Sequence, residues 1–127
     1  MKNQNFGIEI ELTGITRQQA AAVIANYFGT QSRYVGTYYK TYAALYPKGR
    51  SWKAMSDGSI RCQRKANGRT QNASHDYSCE VVSPILQYED LEDLQNIVRA
   101  LREAGALPTA PAVSMFMLMV QATRPTA

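Results

Sequence analysis

Histidine and cysteine are scarce in this chain, which has one histidine, His75, and two thiols, Cys62 and Cys79. Two thiols do not make a disulfide framework. Their spacing with His75 is not that of a zinc finger, and a fourth ligand is missing, so no zinc site is expected there. His75 would be the sole base for a nucleophilic triad, and it lies in a polar stretch where a solvated side chain is expected. No apolar run approaches the ~20 residues that span a bilayer. The polar start Met1–Asn5 has no apolar leader core behind it and runs straight into a strand-like segment. A reducing, cytoplasmic setting is the expectation, in which the tripeptide Asn72-Ala73-Ser74 is a coincidental glycosylation match. Low-complexity tracts and internal repeats are also missing. The 127 residues suit one domain with a modest core. The net charge of +4 suits anionic ligands, nucleotides and nucleic acid alike.

Phe6-Gly7-Ile8-Glu9-Ile10-Glu11-Leu12 alternates apolar and acidic residues. A period of two predicts a strand with Ile8, Ile10 and Leu12 in the core and Glu9 and Glu11 on the other face. Thr16 with Gln19 three residues on forms a capping-box pattern, and Gly29 is a stop signal. Together they predict a helix over 17–28. Ser32 to Tyr46 is rich in tyrosine and reads as strand. Pro47-Lys48-Gly49 reads as a turn, and Arg50–Met55 as the returning strand of a hairpin. Residues 63–76 read as a polar loop or hairpin tip around Asn67-Gly68, and Tyr77–Val82 as a further strand. Leu91, Leu94, Ile97, Val98 and Leu101 recur at helical spacing, which predicts a helix over 90–104 with Gly105 as its stop. Acids at its start and arginines near its end match the helix dipole.

Glu9 and Glu11 are the sharpest chemical feature. Two carboxylates two apart on a strand share a face at roughly 7 Å. That span suits hard divalent cations held between carboxylates and phosphate oxygens. The same pattern also describes the solvated face of an antiparallel sheet, and spacing alone favours that plainer reading. Asp57-Gly58-Ser59 is by itself a turn. Glu80 is an acid inside a strand with apolar neighbours, a less common placement.

Three segments fall in a recognisable order: Phe6–Leu12; Gly49-Arg50-Ser51-Trp52-Lys53-Ala54-Met55-Ser56-Asp57-Gly58-Ser59-Ile60; and Cys79-Glu80-Val81-Val82-Ser83-Pro84-Ile85-Leu86. With the helix over 90–104 behind them, they resemble the successive motifs of the amidoligase family over about residues 5–105. These are ligases of the glutamine synthetase/glutamate–cysteine ligase kind. The resemblance implies an α+β fold: an antiparallel sheet with two helices on one face, part of a glutamine synthetase-like catalytic fold. It implies an ATP- and Mg²⁺-dependent carboxylate–amine ligase that forms an amide or isopeptide bond through an acyl phosphate. Its partners would be a small-molecule or peptide carboxylate and an amine. Glu9, Glu11 and Glu80 match the family's acidic, metal-holding positions, which tips the reading of Glu9 and Glu11 towards metal. Asp57 and Ser59 match its Asp-Gly-Ser motif, with a substrate or nucleotide role. Arg61 and Arg64 are phosphate partners by chemistry, since guanidinium suits oxyanions.

After Gly105 the family pattern stops. Residues 106–127 hold no acid and one arginine, with Pro108, Pro111 and Pro125 and an alternation of Met115, Met117 and Met119. The family has a strand here like Asn-x-x-Cys-Gly-x-His-Val-His-Val. Read from each third codon base, Met115-Phe116 forces valine and Met119-Val120 forces glycine. Phe116-Met117 allows only histidine or tyrosine. The other junctions permit Asn-Ser-Ser-Cys-Gly-Ile-His-Val-His-Val-Asp-Gly, the expected motif. The sequence thus divides into an amidoligase-like part, 1–105, and an aberrant, frameshifted tail, 106–127, and an inactive chain is expected. The plain alternative for the tail is a methionine-rich segment packed as core. For the whole chain, the alternative is a small basic nucleic-acid-binding module using the tyrosine-rich stretch 33–53. Sheet core with a solvated edge explains that stretch better.

Overall fold

In the computed structural model, described for residues 5–46, 49–109 and 119–122, the chain folds around one antiparallel sheet. Its elements are β1 (Phe6–Thr13), α1 (Arg17–Phe28), β2 (Ser32–Gly36), β3 (Thr41–Tyr46), β4 (Arg50–Met55), β5 (Gln63–Ala66), β6 (Arg69–Asn72), β7 (Cys79–Val82), α2 (Leu91–Glu103), β8 (Leu107–Pro108) and β9 (Met119–Ala122). The strand order is β2-β3-β4-β7-β1-β8, with β9 also paired to β1 and β5-β6 forming a separate hairpin. This is the expected α+β arrangement of antiparallel sheet and two helices.

The alternation of β1 sets the two faces. Ile8, Ile10 and Leu12 are buried, while Glu9 and Glu11 are exposed. On the covered face Val81, Ala54, Trp52 and Ala44 continue the apolar layer. Both helices close it, α1 with Ala20, Ala21, Ile24 and Ala25, and α2 with Leu94, Ile97, Val98 and Leu101. The capping box at Thr16 and Gln19 is formed, and Gly29 adopts the left-handed cap at φ 69°. Phe28 packs edge-on to Tyr46 at 4.5 Å, and Tyr46 is itself buried. Two tyrosines of the aromatic stretch, Tyr42 and Tyr46, therefore belong to the core, while Tyr34, Tyr38 and Tyr39 are exposed.

One expectation changes in detail, and one stretch left open between two readings is decided. The tyrosine-rich stretch is two strands, because Gly36 (φ 92°), Thr37 (φ 68°) and Lys40 (φ 50°) take left-handed conformations that turn the chain. The polar stretch 63–76 carries a regular hairpin, in which Asn67 (φ 55°) and Gly68 (φ 75°) make the two-residue turn that this pair favours. Its base is fixed to β1: Thr13 Oγ1 accepts from the Gln63 amide at 2.8 Å, and donation to the Tyr77 carbonyl also measures 2.8 Å.

Part of the tail pairs with β1. Leu107–Pro108 lie beside Leu12 and Thr13, and Met119–Ala122 beside Phe6–Glu9. The edge of β1 away from β7 is thus paired, since β1 offers free ladder groups to any extended segment. Met115–Leu118, the centre of the methionine-rich alternative, lie outside the described residues. Among the described residues, no helix is long and apolar enough to cross a membrane.

Candidate active site

The helix-free face of the sheet collects the acids. β1 and β7 pair so that Glu11 stands directly opposite Glu80, with Glu9 opposite Val82. Opposed residues in such a ladder are about 5 Å apart at Cα and share a face. Met55 of β4 stands on the other side of Glu80. Asp57 follows β4 immediately, so the turn after Met55 brings it to the end of the same row. Glu9, Glu80, Asp57, Tyr39, Met55 and Val82 border an open cavity of about 470 Å³. Its size is in the range of small-molecule sites.

Four carboxyls in one place repel, and the protons report it. Burial raises Glu80 first, then its hydrogen bond with Glu9 and the charges of Glu9, Asp57 and Glu11, to about 7. Glu11 is also raised, by burial and then by Asp57. Asp57 goes the other way. The Ser59 amide and hydroxyl, at 2.9 and 2.8 Å from Asp57 Oδ1, hold its carboxyl below the usual range. The shifts thus run in opposite directions within one cluster, with Glu80 and Glu11 pushed up and Asp57 pulled down.

The expected metal positions Glu9, Glu11 and Glu80 are thus brought together, with Asp57 beside them. Ser59 is exposed and is occupied in holding Asp57. Arg61 and Arg64 are exposed on the segment and hairpin that follow, and neither is among the residues that border the cavity. The sheet instead puts other cations on the acid-bearing face. Successive pairings run Glu9, Val82, Lys53, Ala43, Arg33 across five strands. Lys53 and Arg33 are exposed, at about two and four strand spacings of ~4.8 Å from Glu9. The sequence placed these two residues only as the ends of the basic stretch 33–53 and not beside the acids, because register across non-adjacent strands is invisible in a linear pattern.

Among the described residues, no three His, Cys, Asp or Glu side chains stand ready to hold one ion. Carboxylate oxygens are nevertheless the kind of donor that a hard divalent cation takes. Mg²⁺ is usually held by one or two carboxylates with phosphate oxygens and water completing the shell. Cys79 is fully buried and its thiol is pushed up to about 12 by burial, Cys62 is half-buried, and His75 is exposed.

Neither a curated protein nor a solved structure matches the chain. A family model described as putative amidoligase enzyme matches residues 2–115, most of the 127. The chain therefore belongs to that amidoligase family.

Proposed function

We propose that the open face of the sheet is the nucleotide and metal side of a carboxylate–amine ligase that uses ATP and Mg²⁺. Convergence of Glu9, Glu11, Glu80 and Asp57 on that face supports this reading above all else. Bringing four carboxyls together costs free energy that a bound cation returns, and a fold with no use for the charge would have little reason to keep it. When bound, Mg²⁺ would neutralise phosphate charge and polarise the transferred phosphoryl group. One or two of Glu9, Glu11 and Glu80 would hold it directly, with phosphate oxygens and water completing its shell and Asp57 beside them. Ser59 keeps the Asp57 carboxyl ionised and aimed. Lys53 and Arg33 lie along the same face, where a polyanionic tail or a substrate carboxylate would meet positive charge. Arg61 and Arg64, at the Asp57 end, would meet phosphate from the rim.

The reaction proceeds in two substitutions. A substrate carboxylate oxygen attacks the γ-phosphorus of ATP, and ADP leaves. An amine then attacks the acyl carbon, inorganic phosphate departs, and the amine loses a proton. The substrates would be a small-molecule or peptide carboxylate and an amine, in the cytoplasm, within a glutamine synthetase-like catalytic fold.

The tail bears on activity. We infer a frame slip after about residue 105, since the histidine-bearing motif expected next is missing and the shifted codons of 108–120 allow it, although the family match itself runs to residue 115. The chain as written would then lack the histidine-bearing strand, and it would be inactive. Sequencing through the codon for Leu107 and beyond tests the slip, and an intact gene with no downstream histidine-containing frame rules it out. In the protein with its frame restored, Mg²⁺-dependent ATP turnover should appear and Glu9→Ala should abolish it. Unchanged turnover in that variant removes Glu9 from the site.

A further inference from the structure

Arg17 is almost fully buried, yet it lies on the side of the sheet away from the acids and takes no part in the chemistry above. Its guanidinium is committed to backbone carbonyls. Nε donates to Lys40 at 3.2 Å, Nη1 donates to both His75 and Ser78 at 2.9 Å, and Nη2 lies 3.5 Å from the exposed Asp76 carboxylate. Burying a cation adds little to a fold by itself, because an apolar side chain of similar volume serves as well. What distinguishes Arg17 is where those carbonyls belong.

Lys40 follows Tyr39, whose carbonyl accepts from the Ser56 amide at 2.9 Å. Ser56 precedes Asp57. The Asp57 amide donates to Ser78 Oγ at 2.8 Å, and the same hydroxyl donates back to the Asp57 carbonyl at 2.7 Å. The Ser78 carbonyl returns to Arg17. Hydrogen bonds and covalent steps thus close a ring: Arg17, Lys40, Tyr39, Ser56, Asp57, Ser78, and Arg17 again. The ring joins the start of α1 to the β2–β3 turn, the β4–β5 turn and the lead-in to β7. Three of its members, Tyr39, Ser56 and Asp57, border the acid cavity. Ser78 is fully buried.

We propose that Arg17 and Ser78 are positioning residues of the acid cavity, holding the turn of Asp57 and the turn of Tyr39 in fixed relation to Glu9, Glu11 and Glu80. The geometry stands on hydrogen bonds alone, while its consequence for a bound cation rests on the ligase reading. Arginine suits the post because its planar fork reaches three carbonyls at once. A lysine ammonium at the same place cannot span Lys40, His75 and Ser78 together. The Ser78 hydroxyl suits its own because it donates and accepts in one position.

Native-state hydrogen exchange on the full chain tests this, with Ser78→Ala and the milder Arg17→Lys compared to Ile97→Val. The last is a core change in α2 chosen to give a similar loss of Tm. In Arg17→Lys, the Ser56 and Asp57 amides should both lose about tenfold or more of their protection beyond the global change, the scale of one lost hydrogen bond. Ile97→Val should show no such local loss. Mn²⁺ affinity, read from the free-ion electron spin resonance signal, should fall about tenfold in both ring variants and stay level in Ile97→Val. If Arg17→Lys leaves the Ser56 and Asp57 amides protected, or if Ile97→Val exposes them equally, the ring is ordinary scaffolding and the proposal fails. A wild-type chain that binds no Mn²⁺ overturns the cation reading, while the exchange result still decides the ring.

Discussion

Glu9→Gln offers the most quantitative check on the acid cluster. Glu80 rises from an ordinary 4.5 to about 7, through burial first and Glu9 second. A carboxyl raised in the folded state binds more protons there than in the unfolded chain. Its stabilisation is therefore complete below pH about 4.5 and is lost as pH climbs through about 7. At about 1.36 kcal/mol per pH unit the gap sets a ceiling of about 3.4 kcal/mol. Glu80 is only half-buried, so solvent screening cuts the expected loss between pH 5 and 8 to about 1–1.5 kcal/mol. Glu9→Gln removes the partner's charge but leaves Glu80's burial in place. The variant should recover about half of that loss and melt a few degrees higher than wild type at pH 8, with no gain at pH 4. Urea titrations at pH 4, 5, 6, 7 and 8 measure the slope, and carbon NMR of the Glu80 carboxyl follows the proton directly. A Glu80 carboxyl that titrates at the same pH in both proteins refutes the reasoning.

Other outcomes follow from the same contacts. Mg²⁺ should raise Tm at pH 8 by mass action, and Glu80→Gln should remove most of that rise; a rise retained in the variant assigns the ion elsewhere. Thr13→Val keeps shape but strips the hydroxyl that holds Gln63 and Tyr77, costing about 1–3 kcal/mol by chemical denaturation and loosening the β5–β6 hairpin in amide exchange. Gly14→Ala should cost more than about 3 kcal/mol, since a Cβ there meets the Gly105 carbonyl and Gly14 sits at φ 91°. A Gly14→Ala protein of wild-type Tm would mean that the backbone at Gly14 and that at Gly105 do not approach this closely.

Much of this arrangement is legible in the chain wherever the signal is local. The period of two in Phe6–Thr13 separates Ile8 and Ile10 from Glu9 and Glu11 because strand side chains alternate. The caps at Thr16 and Gly29 bound α1 because helix ends need partners. Asn67-Gly68 marks a hairpin because both residues tolerate positive φ. The pairing of acids across β1 and β7 was accessible only through the order of motifs, since nothing local in Cys79–Val82 says which strand lies beside it. The ring through Arg17 was not accessible at all. Its acceptors are backbone carbonyls of loops far apart in sequence, and a carbonyl leaves no residue-type signature. The aromatic richness of Ser32–Tyr46 likewise gave no hint of the turn at Gly36–Lys40, because tyrosine content reports strand preference and not where the ladder reverses.

The central proposal is that the cluster of Glu9, Glu11, Glu80 and Asp57 takes up a divalent cation together with a nucleotide. Mn²⁺ electron spin resonance, with and without ATP, measures this on the chain itself and needs no turnover. The account expects wild type to remove Mn²⁺ from the free signal at pH 8 and to do so more tightly when ATP is present. It expects the Glu9→Gln, Glu80→Gln double variant to lose at least about tenfold in affinity, the cost of removing a charge-assisted contact. Mn²⁺ that stays free beside wild type, or that binds the double variant equally well, contradicts it.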